Sequence, residues 1–211
     1  PLDLTSPVSD LYLLLVAPPS LSASRFFADL ASLFDDDPHA RLRAVLDARA
    51  AGVPVIALVG GSCGAFGGMG IVAKLCSAIL ISEEGRLALS GPEVIETVAG
   101  VEEFDSKDRA LVWRVTGGKH RYLMGDCALL VDDDIAAFRR GATEFLAGWT
   151  EAAPSIATLR TRQRVLESRL AAYGALRDGL QVWAALGVAQ PEKVPLLDRD
   201  SLVALKEGLP T

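Results

Sequence analysis

Aromatic side chains are scarce in this chain, 6% of 211 residues, so aliphatic side chains must do most of the core packing. Histidine is scarcer still, with two residues from which any general base could be drawn. Long apolar runs are missing. Leu11 to Ala17 and Val53 to Val59 fall far short of the roughly 20 residues a membrane helix needs, and a soluble protein with no membrane partner is expected. The three cysteines, Cys63, Cys76 and Cys127, are odd in number and form no CxxC pair. That excludes a disulfide framework and a four-thiolate zinc site; no metal site is expected, and a reducing, cytoplasmic setting fits best. A basic excess is also lacking: net charge −6 and a pI near 5.0 argue against a general nucleic-acid binder. The chain opens at Pro1 without an initiator Met or a signal-type segment, which reads as a start inside a longer gene product.

Half the residues are hydrophobic, enough for a sizeable core and incompatible with intrinsic disorder. Leu11 to Ala17, closed by Pro18-Pro19, suits a buried strand. Ser22 to Phe34 reads as a helix, and a second helix follows Asp35-Asp36-Asp37-Pro38, with the aspartates as its N-cap and Leu42, Val45, Leu46 and Arg49 at helical spacing. Val53 to Val59 is the clearest strand. Six glycines then fall between Gly60 and Gly70, and Ile71 to Cys76 reads as helix. Ala78 to Ser82 and Arg86 to Leu89 read as short strands, Pro92 as a helix start, Asp105 to Val115 as a helix ended by Gly117-Gly118, and Ala128 to Val131 as a strand. Such alternation predicts an α/β layer fold over residues 1–150. From Ile156 to Leu186 the residues Leu159, Leu166, Leu170, Tyr173, Leu176, Leu180 and Trp183 share one helical stripe, so 151–211 reads as a helical extension interrupted near Gly174 or Gly179.

A glycine loop between strand and helix lets backbone amides approach a ligand at the positive end of the helix. Three chemistries use that arrangement. Dinucleotide binding is disfavoured because no GxGxxG occurs here. A serine hydrolase is open: Gly60-x-Ser62-x-Gly64 matches the nucleophile elbow, and Asp105 or Asp108 followed by His120 supplies the order Ser, Asp, His. Against it, the glycines at 64, 67, 68 and 70 make the next turns poor helix. The third is an oxyanion hole in which a backbone amide stabilises the enolate of a thioester.

Gly-Val-Pro-Val-Ile-Ala-Leu-Val at 52–59, Gly64-Ala65-Phe66-Gly67-Gly68-Met69-Gly70 and Ser90-Gly91-Pro92-Glu93-Val94-Ile95-Glu96 together resemble the crotonase-like carboxyltransferase and decarboxylase family, and within it the β subunits of biotin-independent malonate decarboxylases. The likeness continues through Gly100 to Arg109 and Thr116 to Lys119, covering about residues 40–145. It implies a crotonase (ClpP/crotonase) fold of ββα units. It also implies a carbon-carbon lyase that decarboxylates malonyl to acetyl on an acyl-carrier subunit, through an enolate held by backbone amides. No cofactor is then bound directly, and the CoA-derived prosthetic group rides on the carrier. By position, Gly67 and Gly68 are the implied oxyanion amides, with Gly64, Phe66, Met69, Gly91, Pro92 and Glu93 around the substrate. Only 52 residues precede the Val53 strand, where the family has a longer region with an earlier glycine-rich segment, so the first repeat is expected to be incomplete in this sequence. A carboxyltransferase subunit of a biotin-dependent enzyme is the neighbouring alternative, although a cysteine zinc ribbon is absent.

Two basic features have a bland and a sharp reading. Lys119-His120-Arg121 is by default a solvated turn, and otherwise Lys119 and Arg121 hold the phosphate of the prosthetic arm. Arg160, Arg162, Arg164 and Arg169 are by default the wet face of a helix, and otherwise dock an acidic carrier. Cys63 reads as a small buried thiol and His39 as surface. The leucine stripe reads as a subunit interface, which with the family's pairing of β and γ subunits predicts an obligate hetero-oligomer.

Overall fold

The computed structural model describes the backbone over residues 11–15, 38–61, 64–150 and 155–209. The helix expected at 22–34 and the aspartates expected to cap its successor lie outside those residues. Among the described residues four short strands form one sheet in chain order, β1 (Leu11–Leu15), β2 (Val55–Val59), β3 (Ala78–Ser82) and β4 (Leu129–Val131). β1 runs antiparallel to β2, pairing Leu11 with Val59 and Leu15 with Val55, while β2, β3 and β4 are parallel. Parallel neighbours need crossovers. One is α2 (Gly68–Leu75), between β2 and β3; another is the run α3 (Pro92–Ala99), α4 (Arg109–Thr116) and α5 (Gly118–Leu123), between β3 and β4. α1 (Pro38–Ala50) precedes β2, and α6 (Ile135–Ala147), α7 (Ile156–Tyr173), α8 (Gly179–Ala185), a 3₁₀ turn (Pro191–Leu196) and α9 (Arg199–Glu207) complete the chain.

β2 and β3 are buried at every position, which is why they read as continuous apolar runs instead of alternating ones. Val55, Ala57, Val59, Ile79 and Ile81 face a larger core shared with Val45 of α1, Val72 of α2, Trp183 of α8 and Leu202 of α9. The opposite face, Ile56, Leu58, Ala78 and Leu80, packs against Ala142, Phe138 and Phe145 of α6. Helices thus cover both faces of a mostly parallel sheet.

Several expectations are corrected. α2 begins at Gly68, three residues before the predicted Ile71, because the first turn of a helix tolerates glycine where its amides lack partners anyway. Arg86 to Leu89 makes no ladder; it forms single bridges, Leu87 with Ala65 and Arg86 with Gly117. The helix expected from Asp105 starts at Arg109, where the Asp108 carboxylate caps it by accepting from the Leu111 N–H at 3.0 Å. Gly118 opens α5 instead of ending structure, and Lys119-His120-Arg121 is helix, with His120 buried, not a solvated turn. The C-terminal stripe divides: Leu166 and Leu170 are exposed on α7, which buries no residue, whereas Trp183 is 1% exposed in the main core.

Candidate functional site at the glycine turn

β2 ends at Val59, and the chain leaves the sheet through Gly60-Gly61. Ser62 and Cys63 lie outside the described residues. The chain returns at Gly64, with φ +80°, where a Cβ would come within 2.8 Å of the Arg86 Cβ and 2.9 Å of its carbonyl oxygen. Glycine is required there by both conformation and space. Ala65 then runs beside 86–88, its N–H donating to the Arg86 carbonyl at 2.8 Å.

At Gly67 the backbone turns through φ 56°, ψ −130° into α2. The Gly67 N–H donates to the Leu89 carbonyl at 2.8 Å, and those of Met69 and Gly70 reach the Phe66 carbonyl at 3.2 and 3.4 Å. Gly68, first residue of the helix, is exposed; its N–H has no acceptor among the described residues, no side chain caps the helix, and a Cβ there would meet nothing within 4 Å. Of the two glycines expected to present amides, Gly67 donates to Leu89, and Gly68 holds an N–H without an acceptor among the described residues, at the positive end of a helix with no side-chain cap.

The Gly67–Leu89 bond brings the second predicted segment alongside. Pro92 is buried at the start of α3, and the Gly91 carbonyl accepts from the Val94 and Ile95 N–H groups at 3.1 Å. Glu93 is exposed in the first turn of α3. Glu96, one turn on, accepts from the Ser106 N–H at 2.8 Å, and hydrogen bonding from the Ser106 side chain, then from its backbone, holds the carboxyl below the usual range. Phe66 is half-buried and Met69 leans on the main core.

One network the sequence did not reveal fixes the loop's entry. Asp133 Oδ1 accepts from the Ser82 hydroxyl at 2.6 Å and from the Gly61 N–H at 3.0 Å, while the Ser82 Oγ accepts from the Gly85 N–H at 3.1 Å. The carboxyl ends of β2 and β3 are thereby tied to the residues after β4. The three consecutive aspartates, 132 to 134, were the only signal of it, and they equally fit a helix cap, which Asp134 provides for α6.

Lys119 and Arg121 are committed within the protein. The Lys119 ammonium donates to the Pro195 and Leu197 carbonyls at 2.8 and 2.7 Å and pairs with Glu83 at 3.1 Å; Arg121 donates to the Asp126 carboxylate and the Val115 carbonyl. All three ammonium protons have acceptors, so the phosphate role expected of this pair is not supported. His120, the base expected in the hydrolase alternative, is sealed in the core. His120 packs beside Trp183, ring centroids 6.1 Å apart, and burial pushes its pKa down to about 3. The carboxylates that act on it are Asp126 and Asp178, whereas Asp108 caps α4 and Asp105 accepts from the Lys107 N–H. Burial raises the Cys76 and Cys127 thiols to about 12, so neither is a nucleophile. Among the described residues no group of three or more His, Cys, Asp or Glu is gathered as for a metal, and no helix is long and apolar enough to cross a membrane.

A mostly parallel sheet with a glycine turn feeding a helix, bridged to a second loop that starts the next helix, is the crotonase-like α/β fold of carboxyltransferase and malonate decarboxylase subunits. In solved structures the chain resembles a Pseudomonas malonate decarboxylase hetero-tetramer in complex with malonate, with a TM-score of 0.60 and 33% identity over 70% of this chain and 52% of that one. It is also 40% identical over 161 residues to the malonyl-S-ACP:biotin-protein carboxyltransferase MADC of Malonomonas rubra, a match covering 74% of this chain and 51% of that protein. The chain thus spans about half the length of the curated relative it matches. No family model matches it.

Proposed function

We propose that this chain is a subunit of a malonyl-thioester decarboxylase and that the Gly68 amide binds the thioester oxygen. The observation that carries the reading is the unpartnered Gly68 N–H at the head of α2, in a chain 40% identical to an enzyme named for malonyl-S-ACP. When the bond between the methylene and the carboxylate breaks, CO2 leaves and the electron pair passes into the thioester as an enolate. A proton then gives the acetyl thioester. A donor aimed at the oxygen as its charge grows lowers that barrier by about 3 kcal/mol. Malonyl arrives on an acyl-carrier subunit, which keeps the CoA-derived arm as part of the substrate.

A hetero-oligomer with a γ-type subunit is part of this reading. Exposed Leu89, Val94 and Val98 beside the glycine turn support a partner that closes the site and brings a second donor. The test is Gly68→Pro in the assembled complex. Proline is favoured at the first helical position, so the variant should fold while lacking only this N–H. CO2 release from malonyl thioester should fall by about a hundredfold or more, with Gly68→Ala near wild type. Full turnover by Gly68→Pro would overturn the assignment.

The name of the Malonomonas relative favours a second reading, in which the carboxyl group passes to a biotin protein. Avidin separates the two: it stops transfer to biotin and leaves direct release of CO2 untouched.

A further inference from the structure

We propose that Arg86 is the carboxylate anchor for the malonyl group; this rests on the function proposed above. Its guanidinium lies 4.7 Å from the Trp113 ring centroid and 5.7 Å from that of Phe66, the residue whose carbonyl takes the Met69 and Gly70 amides of α2. The backbone beneath is fixed from two sides, since the Arg86 carbonyl accepts from the Ala65 N–H and the Leu87 N–H donates to the Thr116 carbonyl at 2.9 Å. Arg114, Arg121, Arg169, Arg177 and Arg199 each pair with a carboxylate. Arg86 has no such partner among the described residues, and its Nε is buried without an acceptor. In a chain with more acids than bases, a half-buried guanidinium with a hydrogen bond unmade is a site held ready for an anion.

A guanidinium over aromatic rings gives up its faces and keeps its in-plane N–H groups, which match the two oxygens of a planar carboxylate. Arg109 lies over the same Trp113 ring, 5.9 Å from its centroid, with Glu83 and Glu84 close by in the chain, so the inorganic phosphate probe below distinguishes a malonyl monoanion from a phosphate dianion. The substrate's negative charge leaves as neutral CO2, so the contact is stronger before the reaction than at its transition state. Arg86 therefore selects malonyl over acetyl and acts on KM more than on kcat.

The experiment uses the assembled complex carrying wild type, Arg86→Met or Arg86→Lys, with malonyl- and acetyl-N-acetylcysteamine as phosphate-free probes and inorganic phosphate as a third. Methionine preserves the contact with both rings, and unchanged thermal melting confirms folding. The expected result is that Arg86→Met weakens binding of the malonyl probe by about 30-fold and of the acetyl probe by less than about twofold. KM should rise with kcat within about threefold, and Arg86→Lys should recover part of the affinity. Equal malonyl binding by wild type and Arg86→Met, with wild type active, would overturn the inference alone. Loss of phosphate binding with malonyl binding intact would overturn it in favour of a phosphate ligand. A wild-type complex that neither binds nor turns over the malonyl probe would overturn the proposed function, and this inference with it.

Discussion

A methyl group added at Gly118 would overlap the Ser82 carbonyl oxygen, whereas the same group at Gly68 would meet nothing within 4 Å. Backbone cannot yield as a side-chain tip does, so Gly118→Ala should lose roughly 3 kcal/mol in urea unfolding, while Gly68→Ala should stay near wild type. His120 sets a pH dependence. Burial, then the nearby Arg121, lowers its pKa from 6.5 to about 3. Below pH 6.5 the unfolded chain therefore binds a proton that the folded chain refuses. The stability present above pH 6.5 should fall by about 1.4 kcal/mol per pH unit as pH drops toward 3. His120→Leu should flatten that slope between pH 6 and 4 in denaturant titrations at fixed pH.

Helix starts are where the elements are most firmly tied. Asp178 caps α8 in a reciprocal box with Gln181 and also takes the Arg114 guanidinium through two bonds of 2.8 Å, joining α4 to α8. Its burial alone would raise the carboxyl pKa, but these bonds hold it below the usual range. Asp198 caps α9 by accepting from the Ser201 N–H at 2.8 Å, with no bidentate guanidinium like that on Asp178. Asp178→Ala should therefore cost roughly 2 kcal/mol in chemical denaturation, and more than Asp198→Ala. Such caps were only partly legible. The Val55–Val59 strand and the helix at Pro92 announce themselves, one by β-branched side chains and the other by proline. Arg86–Leu89 has the composition of a strand, yet nothing in composition says that its two sides meet different partners one residue at a time. At the site the glycine turn was visible, but not which amide stays free, since that depends on Leu89, 22 residues away. Arg86 carried no motif. Periodicity also misplaced Trp183 with Leu170: residues 174–178 break the helix, and the stripe loses its phase there.

For the molecule as a whole, α7 stands out because it buries none of its residues. Arg169 reaches the Asp126 carboxylate at 3.4 Å, beside Lys74 and Arg121, while Leu159, Leu166 and Leu170 face outward. If the hetero-oligomer proposed above covers this face, Leu166→Asp with Leu170→Asp should leave stability within about 0.5 kcal/mol and shift light scattering from complex to free chain. Trp183→Asp should unfold the chain, losing about 4 kcal/mol or more. An unchanged complex in the double variant would exclude α7 as the contact. The two sealed thiols carry a kinetic consequence. Cys76 closes α2 and Cys127 sits just ahead of β4, both in the core beneath the sheet. An alkylating reagent cannot reach either until the surrounding structure opens, so labelling rates resolved by peptide mass would time the opening of the two ends of that core separately. Trapping at Cys76 before Cys127 would identify the α2 end, with the glycine turn, as the first part of the molecule to breathe.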